Sequence, residues 1–187
     1  MQSPKPESVL SLAILGLVSQ HPRSGYDLRK TFATTPMGHF SSSPGAIYPA
    51  LKRLEERGLV EGKTEGADTL KPKRVFGLTD DGLETLRAEL RRPIGRDDVI
   101  WHVEALVLRF AFMGDVLGRP ATLEFLGAFR DRMADYLPTL EQTAQELKDE
   151  GRTHAAVAVS HGLEQYRAHI RWATAATQTL SQDADRE

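Results

Sequence analysis

The stretch Ser43–Gly58, SPGAIYPALKRLEERG, decides the fold of the N-terminal half of this 187-residue chain. Ser43 predicts a helix start, because its hydroxyl can accept the free amide hydrogens of a first helical turn, and Pro44 is tolerated at that position. Gly58 predicts the helix end, since glycine readily adopts the left-handed conformation of a C-cap. The sequence therefore predicts a short helix between these residues.

The predicted helix has one apolar face and one polar face. Ile47, Leu51 and Leu54 recur at helical spacing and form the apolar face. The opposite face carries small, aromatic and charged side chains, namely Ala46, Tyr48, Lys52, Arg53 and Glu56. A helix with this front can enter the major groove of DNA, and it can equally be an ordinary surface helix with a solvated face.

Two further helices precede this stretch. Apolar residues at steps of three and four predict a core helix over Pro6–Gln20. A second helix is predicted over Tyr26–Phe32, with Tyr26, Leu28 and Phe32 as its buried positions. A turn rich in Thr, Pro, Gly and Ser follows at 34–42. Three short helices, the last with a basic front, predict a helix-turn-helix unit.

The periodicity changes after Gly58. Residues 59–61 and 74–78 predict two strands, with turn residues at 66–68 between them, so a hairpin with a long tip is expected. The tip carries the cations Lys71, Lys73 and Arg74, and Lys63 lies on the opposite strand. A basic hairpin behind three helices is typical of a wing, which contacts phosphates or the minor groove, and an ordinary solvated hairpin is the alternative. Thr79 is the predicted N-cap of a fourth helix that runs to about Arg92.

Three motifs, ILGLVSQHPRSGYDL, SPGAIYPALKRLEERGLV and KRVFGLTDDG, follow one another within residues 8–92. Together they resemble the PadR family of winged-helix transcriptional regulators. The resemblance implies one recognition helix from about Pro44, slightly kinked at Pro49. Helix rules alone start the regular helix near Tyr48, with Pro49 in its first turn, because a proline inside a helix interrupts the backbone hydrogen bonds.

The same resemblance implies DNA-contacting residues. It places Tyr48, Lys52 and Arg53 on the DNA-facing side of the recognition helix. Ser42 and Ser43 fall at the N-terminus of that helix, where their hydroxyls can bond phosphate oxygens. The wing motif of the family, a GRPRKYY-like stretch, is replaced here by GADTLKPKRVFGL, which keeps its charge through Lys71, Lys73 and Arg74. Lys52 and Arg53 are the candidates for base discrimination. Packing of Tyr48 under the helix is the alternative for that residue.

A second domain is predicted after a short linker. Residues 1–92 hold 14 Lys and Arg against 11 Asp and Glu, whereas residues 93–187 hold 10 against 15. We therefore expect a winged helix-turn-helix domain at 1–92 and a helical domain at 93–187. The fold class is mainly α with a small β-hairpin wing, and the C-terminal domain consists of long helices that dimerise.

Three helical stretches make up the second domain. Val99–Leu117 is apolar on nearly all faces, 121–150 has one apolar stripe, and 153–180 has a heptad seam that packs lengthwise on another helix. Long thin helices leave such stripes open, so we expect a homodimer. The expected interface residues are Leu106, Phe110, Leu163, Tyr166, Ile170 and Trp172. The C-terminal part resembles the dimerising virulence-activator-type domain of longer PadR proteins, and a twofold dimer predicts an inverted-repeat operator.

An effector pocket is the second candidate site of this domain. Aromatic and polar residues on the first of these helices can line a pocket: Trp101, His102, Arg109, Phe110 and Met113. Plain core packing is the alternative reading. The resemblance implies a small aromatic effector, because some PadR-like proteins sense such compounds.

Other functions lack support in the sequence. The chain has no cysteine, no P-loop and no metal-ligand spacing around its histidines, so no cofactor, metal site or catalytic residue is predicted. The first residues lack a signal-peptide pattern and no stretch is apolar enough to span a membrane, so a cytoplasmic protein is expected. We expect a homodimeric, sequence-specific DNA-binding regulator that acts as a repressor. A winged-helix protein-interaction module without DNA binding is the alternative.

Overall fold

The computed structural model describes residues 7–40, 44–65 and 73–182. The chain divides into two compact units, Met1–Arg92 and Pro93–Glu187. The described residues are mainly helical, and the first unit carries a small antiparallel sheet. This architecture confirms the predicted fold class.

The described residues of the first unit form four α-helices: α1 (Val9–Gln20), α2 (Gly25–Thr34), α3 (Ile47–Glu56) and α4 (Asp80–Arg91). Short 3-10 helices at Pro36–Phe40 and Pro44–Ala46 lie between α2 and α3. α1 begins at Val9 rather than at Pro6, because the Ser8 side chain caps it and accepts a hydrogen bond from the Ser11 amide at 3.1 Å.

All four helices contribute to one apolar core. Its fully buried members are Ile14, Leu15, Leu28, Ile47, Leu51, Leu54, Leu86 and Leu90. The prediction that Tyr26 belongs to this core is wrong, since its side chain is 59% exposed. Leu28 and Phe32 share one face of α2 at a spacing of four residues, and Tyr26 lies two residues before Leu28, on the opposite face. There it contacts the guanidinium of Arg29, 5.4 Å from the ring centroid.

The sheet has three strands in the order β1-β3-β2: β1 (Arg23–Ser24), β2 (Val60–Glu65) and β3 (Lys73–Leu78). β2 and β3 are antiparallel, with Val60 opposite Leu78 and Glu65 opposite Lys73. The sequence predicted this hairpin but not β1. β1 forms because Arg23 and Ser24 pair with Phe76 and Val75 of β3.

The junction between α3, the hairpin and α4 is closed by a set of local hydrogen bonds. The predicted left-handed cap is confirmed at Gly58, where φ is +70°. The Leu59 amide donates to the Leu54 carbonyl at 2.9 Å, which completes a Schellman motif. The predicted N-cap Thr79 is also confirmed, since its hydroxyl accepts from the Gly82 amide at 3.0 Å and donates to the Gly58 carbonyl at 2.7 Å.

The second unit consists of α5 (Arg96–Trp101), α6 (Val103–Leu117), α7 (Arg119–Asp149) and α8 (Thr153–Gln182). The single helix predicted over Val99–Leu117 is wrong, because His102 leaves the helical conformation (φ −137°, ψ 33°) and separates α5 from α6. The stretch is also not buried on all sides. Trp101 is 72% exposed and Val107 is 39% exposed.

α7 and α8 form an antiparallel hairpin. They are joined by a tight turn in which Gly151 has a φ of +72°. Along the hairpin, the ring centroids of Phe129 and Trp172 lie 5.5 Å apart, and those of Tyr136 and Tyr166 lie 5.2 Å apart. The α8 seam, predicted to pack lengthwise on another helix, therefore packs on α7 of the same chain. The sequence led us to expect that a second subunit covers the apolar stripes of these helices. Along part of the hairpin, α7 and α8 cover each other's stripes instead.

Gly82→Ala tests the packing of α4 on the hairpin. A Cβ at Gly82 would lie 1.9 Å from the Leu59 carbonyl oxygen, which is backbone and cannot rotate away. We expect a loss of about 2 kcal/mol or more of unfolding free energy, measured by urea denaturation. Gly127→Ala is the control, since that helical position has open space and alanine is favoured there by about 1 kcal/mol. Equal stability of the two variants would contradict the close contact.

Candidate nucleic-acid interface

An open groove of about 860 Å³ lies on the first unit between α2, α3 and β3. Its lining combines aromatic, acidic and basic side chains, including Tyr26, Asp27, Tyr48, Lys52, Glu55, Lys73 and Arg74. The structure thus brings together four of the predicted DNA-binding residues, Tyr48, Lys52, Lys73 and Arg74. Arg53 lies on the exposed side of α3, next to Lys52.

α3 separates its two faces cleanly. Its inner face buries Ile47, Ala50, Leu51 and Leu54. Its outer face exposes Tyr48, Pro49, Lys52, Arg53 and Glu56. Pro49 is accommodated because it sits in the first turn of α3, where a missing backbone N–H costs nothing. The regular helix therefore starts close to the position that helix rules give, and the turn from Pro44 is a 3-10 helix.

Tyr48 extends over the start of α2. Its ring passes so close to Gly25 that a Cβ there would lie 2.5 Å from Tyr48 Cε1. The side chain remains 53% exposed, so it does not pack under the helix. This position leaves the ring and hydroxyl open to a ligand in the groove.

The wing cations at the groove are paired with acids of the helices. Lys73 Nζ lies 2.9 Å from Asp27 Oδ2, and Arg74 Nη2 lies 2.6 Å from Glu55 Oε1. Lys63 pairs instead with Glu61 at 2.6 Å and lines a separate groove. All of these side chains are at least partly exposed, so the pairs contribute little stability by themselves, but they set where the cations lie.

Asp27 is the most strongly perturbed carboxylate of this surface. The Ser24 hydroxyl and amide donate to it at 2.6 and 3.1 Å, and Lys73 lies beside it. These donors lower the pKa of Asp27 from 3.8 to about 2. Asp27 also completes the capping box that begins α2.

Sequence reasoning missed Asp27 and Glu55, although one signal was available. Ser24 and Asp27 have the S-x-x-D spacing of a capping box, which marks the start of a helix. Nothing local to the sequence marks Glu55, because its partners lie on the hairpin. Ser42, Ser43 and Lys71 fall outside the described residues.

The five candidate effector-pocket residues do not share one environment. Trp101 and His102 are exposed, whereas Met113 is buried. Arg109 is 2% exposed, with its guanidinium carbon 5.1 Å from the Phe125 ring centroid. Phe110 contacts Trp172 edge to face at 5.1 Å. The pocket stays a prediction.

The predicted dimer-interface residues are used mostly within one chain. Leu106 is 1% exposed and Leu163 is 8% exposed, so both leave almost no area for a partner. Phe110, Tyr166, Ile170 and Trp172 are half-buried. The Tyr166 hydroxyl donates to the Val99 carbonyl at 2.7 Å, and burial raises the pKa of this tyrosine. Burial also lowers the pKa of the neighbouring His169.

The described residues carry neither a metal-ligand cluster nor a membrane-spanning helix. Across 7–40, 44–65 and 73–182, no three His, Asp or Glu side chains are grouped as a metal ion would require. In the part of the chain that the structure describes, no helix has the length and apolar character needed to cross a membrane.

Two family models match the chain. Residues 14–88 match the transcriptional regulator PadR-like family, and residues 104–181 match the virulence activator alpha C-term family. Negative transcriptional regulator PadR of Bacillus subtilis is 36% identical over 84 residues, which are 45% of this chain and 46% of that protein. Transcriptional regulator YqjI of Escherichia coli is 34% identical over 77 residues, or 41% and 35% of the two chains. The chain thus spans less than half the length of these curated relatives.

Several solved structures match the chain over most of their length. The crystal structure of Bacillus subtilis PadR in complex with operator DNA is 24% identical. It covers 94% of this chain and 99% of that chain, with a TM-score of 0.44.

Asp27→Asn tests the ion pair between α2 and the wing. Because the folded pKa lies below the ordinary value, the Asp27 carboxylate stabilises the fold above about pH 4, and this stabilisation disappears as pH falls towards 2. We expect the variant to lose about 1 kcal/mol at pH 7 and to match the wild type near pH 2, measured by urea unfolding.

Asp80→Asn is the control, because Asp80 lies in the first turn of α4 and makes no ion pair with the described residues. A difference between wild type and Asp27→Asn that does not change with pH would show that the carboxylate charge has no role.

Proposed function

We propose that this chain is a homodimeric, sequence-specific DNA-binding repressor, and that a small aromatic ligand releases it from its operator. The chain belongs to the PadR-like family of transcriptional regulators, which are not enzymes. One observation carries the proposal: the outer face of α3 presents Tyr48, Lys52 and Arg53 to solvent beside a basic hairpin. This is the arrangement that a helix in the major groove with an adjacent wing requires.

Arg53 is the best candidate for reading a base. It is exposed on the outer face of α3 and makes no ion pair with the described residues. Lys52, in contrast, lies 3.6 Å from Glu56 and stays 77% exposed. A guanidinium with no competing carboxylate can donate two hydrogen bonds to guanine in the major groove. Lys52 and Tyr48 are then left to contact phosphates or a second base.

Apolar residues at the end of the α7–α8 hairpin nearest the Gly151 turn support the proposed homodimer. All fully buried residues of α7 lie between Thr122 and Met133. Beyond Met133, the apolar residues Leu137, Leu140 and Leu147 are only half-buried, and Val157 on α8 is 63% exposed. Two helices alone enclose no core, so this apolar surface suits a second copy of the chain.

The repressor assignment has narrower support. The Bacillus relative is named a negative regulator, and its similarity is limited to less than half of either chain. Two recognition helices related by a twofold axis would read an inverted repeat whose half-sites are about one helical turn apart, or a multiple of it. The effector proposed for the second unit is a small aromatic compound.

Salt dependence of DNA binding tests the proposed function. We expect the protein to bind a duplex from its own upstream region, with log affinity falling linearly with log salt at about −0.9 per phosphate contacted. Fluorescence anisotropy at several salt concentrations measures this slope, with a scrambled duplex as the control. Affinity that ignores salt, or no binding by a folded dimer, would favour the protein-interaction module instead.

Arg53→Ala tests base reading by α3. We expect operator affinity to fall by about 1–3 kcal/mol and discrimination at one base pair to relax, because a bidentate contact is lost. The measurement is anisotropy on the operator and on single-base variants. Arg91→Ala removes the same charge from the last turn of α4, outside the groove, and is expected to bind normally. Equal affinities for the two variants would remove Arg53 from the site.

A further inference from the structure

We propose that Glu55 is a positioning residue that clamps the wing onto the recognition helix and so fixes where the wing meets DNA; this inference rests on the proposed function. Glu55 lies on α3, between the apolar inner face and the exposed outer face. Its side chain is 29% exposed, which leaves it accessible to solvent yet held by its neighbours.

One carboxylate oxygen of Glu55 joins both strands of the hairpin. Glu55 Oε1 accepts a hydrogen bond from the Gly62 amide of β2 at 3.0 Å. The same oxygen accepts a second hydrogen bond from Arg74 Nη2 of β3 at 2.6 Å. Arg74 faces Thr64 across the ladder, two residues along β2 from Gly62, so the two donors lie on adjacent strands close to one another. A single side chain therefore ties α3 to both strands of the wing.

The missing side chain at Gly62 of β2 leaves room for this contact. A Cβ at Gly62 would lie 2.5 Å from Arg74 Nε and 2.9 Å from Glu55 Oε1. Any other residue would have to displace the ion pair from the surface of the strand. The absence of a side chain at Gly62 is what lets the carboxylate reach the backbone amide.

The clamp changes the role expected of Arg74. Its guanidinium is committed to Glu55 and its carbon lies 5.3 Å from the Phe76 ring centroid, so it is held against the protein on two sides. Lys73, beside it, is held by Asp27 of α2. The first two residues of β3 are thus attached to α2 and α3. We assign Arg74 to holding the wing, rather than to direct contact with a phosphate.

Glu55→Ala is the test, with Glu61→Ala as the matched control. Both remove one carboxylate from the first unit, but Glu61 pairs with Lys63 and lines the other groove. We expect Glu55→Ala to bind the operator about tenfold more weakly, while its affinity for a scrambled duplex is unchanged or higher, because a negative charge near DNA has gone. We expect Glu55→Gln to recover part of the loss, since its amide oxygen can still accept from Gly62.

A second readout needs no DNA. Hydrogen exchange of the Gly62 amide, followed by NMR on the free protein, is expected to be faster in Glu55→Ala than in the wild type or in Glu61→Ala. Unchanged exchange would overturn the clamp. Equal operator affinities for the two alanine variants, or equal losses on operator and scrambled duplex, would overturn its positioning role. Absence of salt-dependent binding by the wild type would instead overturn the proposed function itself, so the two failures are distinguishable.

Discussion

Burial of the inner face of α3 is the constraint on which the rest of the first unit depends. Ile47, Leu51 and Leu54 are each 1% exposed, so α3 cannot rotate about its axis without exposing a leucine or isoleucine. Each such exposure costs about 1.5–3 kcal/mol. With the rotation fixed, Tyr48, Lys52 and Arg53 must face outwards. The same burial that stabilises the fold therefore aims the candidate recognition surface.

Ion pairs on this surface influence specificity more than stability. Exposed pairs such as Lys73–Asp27 and Arg74–Glu55 are worth at most about 1 kcal/mol each. Their acids also reduce the positive charge that any DNA would sense, which weakens binding that does not depend on sequence. A wing whose cations are held in place loses less conformational freedom on binding than a wing with mobile lysines. The ion pairs thus fix the positions of the wing cations and weaken the sequence-independent attraction to DNA.

The sequence could predict those features that depend on local spacing. The apolar face of α3, the left-handed Gly58 and the Thr79 cap each follow from a few neighbouring residues, and the structure has all three. Two of the features it missed depend on distant partners. β1 exists only because β3 pairs with it, and the Glu55 contact needs the hairpin in place. Tyr26 was wrongly predicted to be buried because it is aromatic, although it lies on the face of α2 opposite Leu28.

The heptad seam of α8 shows why the partner of an apolar stripe is hard to read from sequence. Periodicity reveals that a helix needs cover, but not which helix supplies it. Here the tight turn at Gly151 returns the chain on itself, so α7 covers the seam within one molecule. Near Phe129, where α6 also packs on α7, Leu126 and Phe129 are fully buried. Towards the turn α7 and α8 cover only each other among the described residues, and Leu140 and Leu147 stay half-buried. For the proposed homodimer we therefore expect an interface near the turn rather than at Leu106 and Leu163, which are buried within one chain.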